Sequence, residues 1–329
     1  MLKALYTLNQ DAFETLYPPD TRAAIDRLVD IRPVCYTRDE IAGQPELLND
    51  VDVIFSGWGC PVFTRELLDA APRLKAVFYA AGSIKYFVTD AFWERGIQVT
   101  SGYIANDIPV VMFALAEILF SLKRGWQHAA LYRQTRTMQR LPLPGTFRAT
   151  IGLVSLGAIG RMMVEALRPF QFKLLAYDPY VSPEEGHALG VEMASLEEVF
   201  KRADVVSLHT PWLKETEGLI TGAHLASMKP NSTLINTARG AVVREDEMLA
   251  VLAQRPDLFA VLDVTYPEPP DPASPLFSLP NVLLTPHIAG PIGVECARNG
   301  QFMLEELQHY LAGQPLQYAI TRERAAIMA

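Results

Sequence analysis

Short runs of apolar, β-branched and aromatic residues alternate with helical stretches along this chain, and this alternation limits the possible folds more than any other feature. Such alternation is typical of βαβ units, in which helices connect neighbouring parallel strands. In the first third of the chain the strand-like runs are residues 2–8, 51–55, 76–79 and 97–100, with helical stretches such as 21–29 and 65–71 between them. This part of the sequence predicts an α/β fold with a mainly parallel sheet.

The alternation stops and then begins again. Residues 107–123 have the pattern of a long apolar helix, a second helical stretch follows to about residue 138, and Pro142, Pro144 and Gly145 predict a loop. The second series of strand-like runs comprises residues 151–155, 174–177, 205–208, 233–236, 260–264 and 282–285, and a last helical stretch covers about 291–311. A length of 329 residues fits about two domains, so we predict two doubly wound parallel-sheet domains.

A glycine-containing turn follows the strand-like run 151–155. The segment Ser155-Leu156-Gly157-Ala158-Ile159-Gly160 opens an amphipathic helix, whose exposed N-terminus would attract the pyrophosphate of a dinucleotide. A dinucleotide fingerprint has glycine at three positions; Gly157 and Gly160 occupy the second and third, and Ser155 stands at the first. Serine can make this turn if its φ stays negative. We predict cofactor contacts at Gly157, Ala158 and Ile159.

An aspartate follows the next strand-like run. Asp178 comes 21 residues after Gly157, where a carboxylate can accept both ribose hydroxyls of NAD and would repel the 2′-phosphate of NADP. Pro179 and Tyr180 follow it, without an immediate arginine. The alternative interpretation is an ordinary turn residue. The whole strand–turn–helix setting favours a nucleotide site that prefers NAD to NADP.

Composition excludes other classes of function. The net charge of −8 argues against a nucleic acid or an anionic membrane as the main partner. Three widely spaced cysteines give neither a disulfide framework nor a metal site, which favours a cytoplasmic setting. No N-terminal targeting pattern is present, and we expect no membrane span, since the longest apolar run, 108–122, carries Glu117.

Four further blocks carry a resemblance to a known family. They are Ser207-Leu208-His209-Thr210-Pro211, Ile235-Asn236-Thr237-Ala238-Arg239-Gly240, Leu262-Asp263-Val264-Thr265-Tyr266-Pro267-Glu268-Pro269 and Thr285-Pro286-His287-Ile288-Ala289-Gly290. In this order, together with the glycine turn, they resemble the NAD-dependent D-isomer specific 2-hydroxyacid dehydrogenases, of the phosphoglycerate dehydrogenase-like kind. The resemblance covers nearly the whole chain.

The resemblance implies a catalytic set. Reduction of a 2-oxo acid needs a hydride from NADH and a proton for the carbonyl oxygen, and histidine titrates near working pH. His287 is implied as general acid and base, with Glu268 as its carboxylate partner, and Arg239 as the forked donor that binds the substrate. Each residue alone also has an ordinary structural interpretation. His287 could be a core histidine, Glu268 a solvated side chain and Arg239 part of a surface ion pair.

The resemblance also implies contacts around this set. Besides the turn and Asp178, the implied cofactor-binding residues are Thr210, Pro211, Thr237, Arg239, Asp263, His287 and Gly290, and the implied substrate-binding residues are Gly82, Ser83 and Arg239. Trp58, Tyr79 and Trp212 are candidates for a pocket around an apolar substrate side chain, or for ordinary packing. We expect Met112, on the long helix, to be a core residue.

The architecture implied by the resemblance is a Rossmann NAD-binding domain, residues 102–290, inserted into a flavodoxin-like substrate domain, residues 1–101 and 291–329. It implies a homodimer formed through the helical region 108–138, and a small 2-oxo or 2-hydroxy acid as substrate. A phosphoglycerate dehydrogenase remains possible, although we expect no regulatory domain after the last helix. The alternative from another class is an NAD-sensing binding protein similar to the corepressors that share this fold.

Overall fold

A computed structural model describes residues 1–327. Contacts within the backbone divide the chain into two compact units. Unit 1 consists of Met1–Asp107 together with the segment that starts at Pro291, and unit 2 is Ile108–Gly290.

The secondary structure alternates as the sequence pattern predicts. The strands are β1 Lys3–Thr7, β2 Asp30–Tyr36, β3 Val53–Ser56, β4 Ala76–Tyr79, β5 Gln98–Ser101, β6 Thr150–Val154, β7 Lys173–Tyr177, β8 Glu192–Met193, β9 Val205–Leu208, β10 Thr233–Asn236, β11 Phe259–Leu262 and β12 Val282–Leu284. The α-helices are α1 Gln10–Leu16, α2 Pro19–Asp26, α3 Arg38–Gly43, α4 Arg65–Asp69, α5 Asp90–Glu94, α6 Tyr103–Leu122, α7 Gly125–Thr135, α8 Ala158–Leu167, α9 Pro183–Leu189, α10 Leu196–Arg202, α11 Gly222–Ala226, α12 Glu245–Gln254, α13 Ala297–Leu311 and α14 Arg322–Ile327.

Unit 1 contains a five-stranded parallel sheet in the order β2-β1-β3-β4-β5. This is the strand order of flavodoxin-like folds. Strand β2 escapes a sequence-based prediction because Pro33 interrupts it and three of its seven residues are exposed. Proline is tolerated in β2 because the strand lies at the edge of the sheet, where one side needs no hydrogen-bonded neighbour.

Unit 2 contains a seven-stranded parallel sheet in the order β12-β11-β10-β9-β6-β7-β8. Counted within the unit, six of these strands have the Rossmann order 3-2-1-4-5-6, and β12 adds a seventh. The short strand β8 is the other one that the sequence pattern does not predict. The prediction of two α/β domains with parallel sheets is confirmed.

The strands read as continuous apolar runs because helices cover both faces of each sheet. All four residues are buried in β3 and β4 of unit 1 and in β9, β10 and β11 of unit 2. Burial on both faces is the normal state of parallel sheets. Because the strands of each sheet are parallel, the loops after their carboxyl ends lie at one edge of that sheet.

The long helix α6 has 20 residues, and among the residues described it is the one helix that is long and apolar enough to cross a membrane. Its length and composition are also those of a core helix. Ala114, Ile118 and Leu122 are fully buried in a cluster with Ile151 of β6, so α6 packs against the sheet of unit 2. The expectation for Met112 is wrong, since this side chain is 61% exposed.

Candidate active site

The turn after β6 has a conformation that the sequence does not predict for serine. Ser155 has φ +78°, so this serine makes the turn without the negative φ that the sequence analysis set as its condition. The turn is fixed from several sides: the Ser155 amide donates to the Tyr177 carbonyl at 2.7 Å, and Arg161 Nε donates to the Leu156 carbonyl at 2.9 Å. The serine therefore takes the backbone shape of the glycine that it replaces.

The two remaining glycines have the environments that a dinucleotide turn needs. A Cβ at Gly160 would collide with the Ser155 carbonyl oxygen, so glycine is needed for close packing of helix and turn. A Cβ at Gly157 would meet no atom within 4 Å among the described residues, so the space above Gly157 is open. Helix α8 begins at Ala158 without a side-chain cap, which leaves its first-turn amides, including that of Ile159, to an anion.

Asp178 follows β7 and lies beside the turn. Its Oδ2 accepts the Leu156 amide at 2.7 Å, and its Oδ1 accepts the Tyr180 amide at 2.8 Å. An ionised carboxylate has about four acceptor positions, so each oxygen can take a further hydroxyl. The carboxylate is thus a fixed acceptor next to the turn.

Three polar side chains form a row across the neighbouring strands β6, β9 and β10. Ser155, His209 and Thr237 each follow the last paired residue of their strand, and all three are buried. Both ring nitrogens of His209 and the Thr237 hydroxyl are buried without a hydrogen-bond partner in the described chain. Unpaired buried polar atoms are costly, so this row fits a polar ligand that lies over it. With the open space at Gly157, the residues present fit a dinucleotide.

The residues of the implied catalytic set follow three adjacent strands of unit 2. Arg239 comes after β10, Glu268 after β11 and His287 after β12. His287 Nδ1 lies 3.0 Å from Glu268 Oε1, and about half of each side chain is exposed. No hydrogen bond of the other ring nitrogen, Nε2, is found within residues 1–327. The pair has the geometry of a histidine that a carboxylate orients, with Nε2 available for proton transfer.

Asp263 holds the backbone of the loop that carries His287. Its buried carboxylate accepts the Ile288 and Ala289 amides, each at 2.8 Å, and the Thr285 hydroxyl at 2.6 Å. The Asp263 carbonyl also accepts the His287 amide at 2.9 Å. His287 itself has φ +54°, so the loop is tightly bent at this residue. The Asp263 carboxylate thus holds the loop that carries His287.

Arg239 is half-buried, and its Nη1 donates to the Ala238 carbonyl at 2.6 Å. The loop after β10 packs tightly on the loop after β11. A Cβ at Gly240 would collide with the backbone of Thr265, so glycine is needed at this contact. This contact fixes the base of the Arg239 side chain relative to the segment that carries Glu268.

The other predicted contacts of unit 2 lie at the same edge of the sheet. Thr210 is buried and its hydroxyl lies 3.0 Å from that of Ser155. The Pro211 carbonyl accepts the Thr216 hydroxyl at 2.5 Å, which closes the loop after β9. Gly290, the last residue of unit 2, has open space at its Cβ position among the residues described. The Trp212 ring packs edge-on against Tyr266 at a centroid distance of 5.3 Å, and about half of each residue is exposed.

In unit 1, Gly82 and Ser83 lie in the loop after β4. Ser101 Oγ lies 2.9 Å from the Ala81 carbonyl and 2.5 Å from the Gly82 carbonyl, which fixes this loop. The Gly82 and Ser83 amides have no hydrogen-bond acceptor in the part of the chain that the structure describes, so they can bind an anion.

Of the aromatic residues considered for an apolar pocket, Tyr79 fits the alternative interpretation, ordinary packing. Tyr79 is a core residue, 1% exposed, and its hydroxyl lies 2.7 Å from that of Tyr86. Tyr86, which sequence reasoning missed, is 44% exposed beside the Gly82 loop, whereas Trp58 is half-buried. The one sequence signal for Tyr86 is that it is an aromatic residue shortly after a predicted strand.

The comparisons with known proteins agree with this geometry. The family described as "D-isomer specific 2-hydroxyacid dehydrogenase, NAD binding domain" matches residues 115–289, which is more than half of the chain and lies within unit 2. NAD is therefore the cofactor expected in unit 2, and the residues around Gly157 fit it.

Three relatives illustrate the similarity. The D-3-phosphoglycerate dehydrogenase of Mycobacterium tuberculosis is 36% identical over 251 residues, which cover 76% of this chain and 47% of that protein. The structure of Rhodotorula graminis D-mandelate dehydrogenase has a TM-score of 0.80 and 25% identity, over 98% of both chains. A D-isomer specific 2-hydroxyacid dehydrogenase from Lactobacillus delbrueckii ssp. bulgaricus, in its NAD complexed form, has a TM-score of 0.79 and 20% identity over 97% of this chain and 100% of its own, which shows the shared fold.

The chain spans about half the length of the phosphoglycerate dehydrogenases that it matches. The fold, the NAD-binding unit and the family match nevertheless agree. The chain belongs to the D-isomer specific 2-hydroxyacid dehydrogenase family.

Proposed function

We propose that this protein is an NAD-dependent oxidoreductase that interconverts a 2-oxo acid and a D-2-hydroxy acid. The observation that carries the proposal is the contact of 3.0 Å between His287 Nδ1 and Glu268 Oε1. When bound, NADH supplies the hydride for the carbonyl carbon. The residues of this chain bind the substrate and move the proton.

His287 carries the proton in this proposal. Glu268 accepts from Nδ1 and stabilises the charged imidazolium, so Nε2–H faces the substrate and donates its proton to the carbonyl oxygen during reduction. In the oxidation direction, Nε2 accepts the hydroxyl proton. Asp263 acts as a positioning residue, because it fixes the backbone on both sides of the histidine.

Arg239 binds the substrate carboxylate and carbonyl in this proposal. Its planar, permanently charged guanidinium suits a carboxylate. The neighbouring Gly240 packs on the backbone of Thr265, in the segment that leads to Glu268, and this supports the proposal. Gly82 and Ser83 of unit 1 remain proposed substrate-binding residues, because their amides have no acceptor among the described residues.

The proposed cofactor preference is NAD over NADP. Asp178 accepts two backbone amides and keeps acceptor positions for ribose hydroxyls, whereas its charge opposes a 2′-phosphate. The other proposed cofactor contacts rest on the position of their loops, which follow the strands of unit 2. They are Thr210, Pro211, Thr237, Asp263 and Gly290.

We propose that the protein is a cytoplasmic homodimer formed through the helical region 108–138. This region exposes Met112, Phe120, Tyr132 and Met138. Exposed apolar side chains are typical of a surface that another subunit covers. Light scattering should give the mass of a dimer, and Met112→Glu with Tyr132→Lys should shift it toward the monomer; a monomeric wild-type protein would contradict the proposal.

Steady-state oxidation of NADH with a panel of 2-oxo acids tests the activity. Glyoxylate, pyruvate, hydroxypyruvate, its phosphorylated form, and phenyl- and branched-chain 2-oxo acids cover the main substrate classes. We expect turnover with at least one of them. Tight NADH binding without turnover on any member would favour the alternative, an NAD-sensing corepressor-like protein.

A further inference from the structure

The hydroxyls of Ser155 and Thr210 join two loops of the nucleotide unit. We propose that this pair is a latch that holds the turn after β6 in its binding conformation and thereby raises the affinity for NADH. The inference rests on cofactor binding by this turn, and it makes Ser155 and Thr210 positioning residues.

The turn needs such a latch because Ser155 adopts φ +78°. A residue with a Cβ is strained in this region, whereas the usual glycine is not. The Ser155 amide donates to the Tyr177 carbonyl, and the Leu156 amide donates to the Asp178 carboxylate. The Ser155 hydroxyl adds a side-chain contact with Thr210 of the neighbouring loop.

The two hydroxyls form a directed chain of hydrogen bonds. The Thr210 hydroxyl donates to the Val154 carbonyl at 3.3 Å, and because it has a single proton, it accepts from Ser155 across the 3.0 Å contact. Both side chains are at least nine-tenths buried. A buried hydroxyl that loses its partner is destabilising, so neither residue is free to turn away.

The position of the pair connects it to the cofactor. Ser155 lies directly before Leu156 and Gly157, above which the space is open, and Thr210 lies between His209 and Pro211. A dinucleotide that contacts both loops binds more tightly if they are already fixed relative to each other, because less order must be created on binding. A serine in place of glycine would then compensate for its strain through preorganisation.

The test separates binding from stability with the variants Ser155→Gly, Thr210→Val and Thr210→Ser. Ser155→Gly removes both the strain and the hydroxyl, so the thermal midpoint should stay the same or rise, while the Kd for NADH, followed by quenching of protein fluorescence, should rise about tenfold, or 1.4 kcal/mol. Thr210→Val should weaken NADH binding to a similar extent. Thr210→Ser keeps the hydroxyl and should restore most of the affinity that Thr210→Val loses.

A double-mutant cycle adds an internal check. If the pair acts as a unit, Ser155→Gly combined with Thr210→Val should weaken binding no more than either single change. The latch is overturned if Ser155→Gly binds NADH as tightly as the wild type, or if the two effects add. If the wild-type protein itself fails to bind NADH, the cofactor assignment fails first, which is a different result from equal binding by wild type and variant.

Discussion

His287 and Glu268 follow two adjacent strands of the nucleotide unit, β12 and β11, and lie 3.0 Å apart at Nδ1 and Oε1. The parallel pairing of the strands brings the two loops to the same edge of the sheet. Residues that are 19 positions apart in the sequence thus come into contact, and they are the pair that we propose for proton transfer.

Glu268→Gln tests the carboxylate partner. Glutamine keeps the size of the side chain but loses its negative charge. We expect kcat to fall by roughly 10- to 100-fold, which is less than the loss of general acid–base catalysis as a whole, because His287 itself remains. The Kd for NADH should change little, since Glu268 is not among the proposed cofactor contacts. Equal kcat values for variant and wild type would remove Glu268 from the mechanism.

Asp263→Asn tests the loop that carries His287. The carboxylate accepts from two amides and one hydroxyl, and an asparagine would place a donor opposite one of these donors. We expect the free energy of unfolding in urea to fall by about 1–3 kcal/mol. The value of kcat should fall as well, because His287 loses its fixed position. A variant with wild-type stability and kcat would show that Asp263 does not position the loop.

Asp178→Ala tests the cofactor preference. Loss of the carboxylate removes the proposed ribose acceptor and the acceptor of the Leu156 amide, so the Kd for NADH should rise at least tenfold, and the Kd for NADPH should rise less. Glu184→Ala is a matched control, since it removes an exposed carboxylate in the first turn of α9. Equal losses for both cofactors would contradict the role of Asp178 in discrimination.

The burial of His209 leads us to expect that the free energy of unfolding depends on pH. Burial lowers the pKa of His209 from 6.5 to about 4. The unfolded chain therefore binds a proton before the folded chain does, and the free energy of unfolding falls as the pH decreases through this window.

Between pH 8 and pH 5 this residue should account for a loss of about 2 kcal/mol. His209→Asn should remove that part of the pH dependence, as urea unfolding at both pH values would show. The same difference between pH 8 and pH 5 in wild type and variant would mean that His209 does not titrate in this way.

Much of the fold is predictable from the sequence because buried parallel strands leave continuous apolar runs. Strands β4, β9 and β10 have the predicted bounds, since all their residues are buried. Strand β2 has no such run, because it carries Pro33 at an edge. Helix α6 is apolar on more than its buried face, which is why Met112 reads as a core residue although it is exposed.

The site is predictable in residue types but not in all of its contacts. The motifs point to His287, Glu268 and Arg239, and the structure brings His287 and Glu268 into contact. The left-handed turn at Ser155 contacts Thr210, which is 55 residues away, and the carboxylate of Asp178. The contacts of Asp263 with the histidine loop involve backbone amides, which leave no trace in the sequence.

The kinetics of His287→Ala, measured with a 2-oxo acid that the wild type reduces, test the central claim most directly. We predict that kcat falls at least about 100-fold, since the proton donor is lost, while the Kd for NADH stays within about threefold of wild type, because Asp263 and Asp178 still hold the loops. A variant that turns over at the wild-type rate would contradict the proposal that His287 transfers the proton.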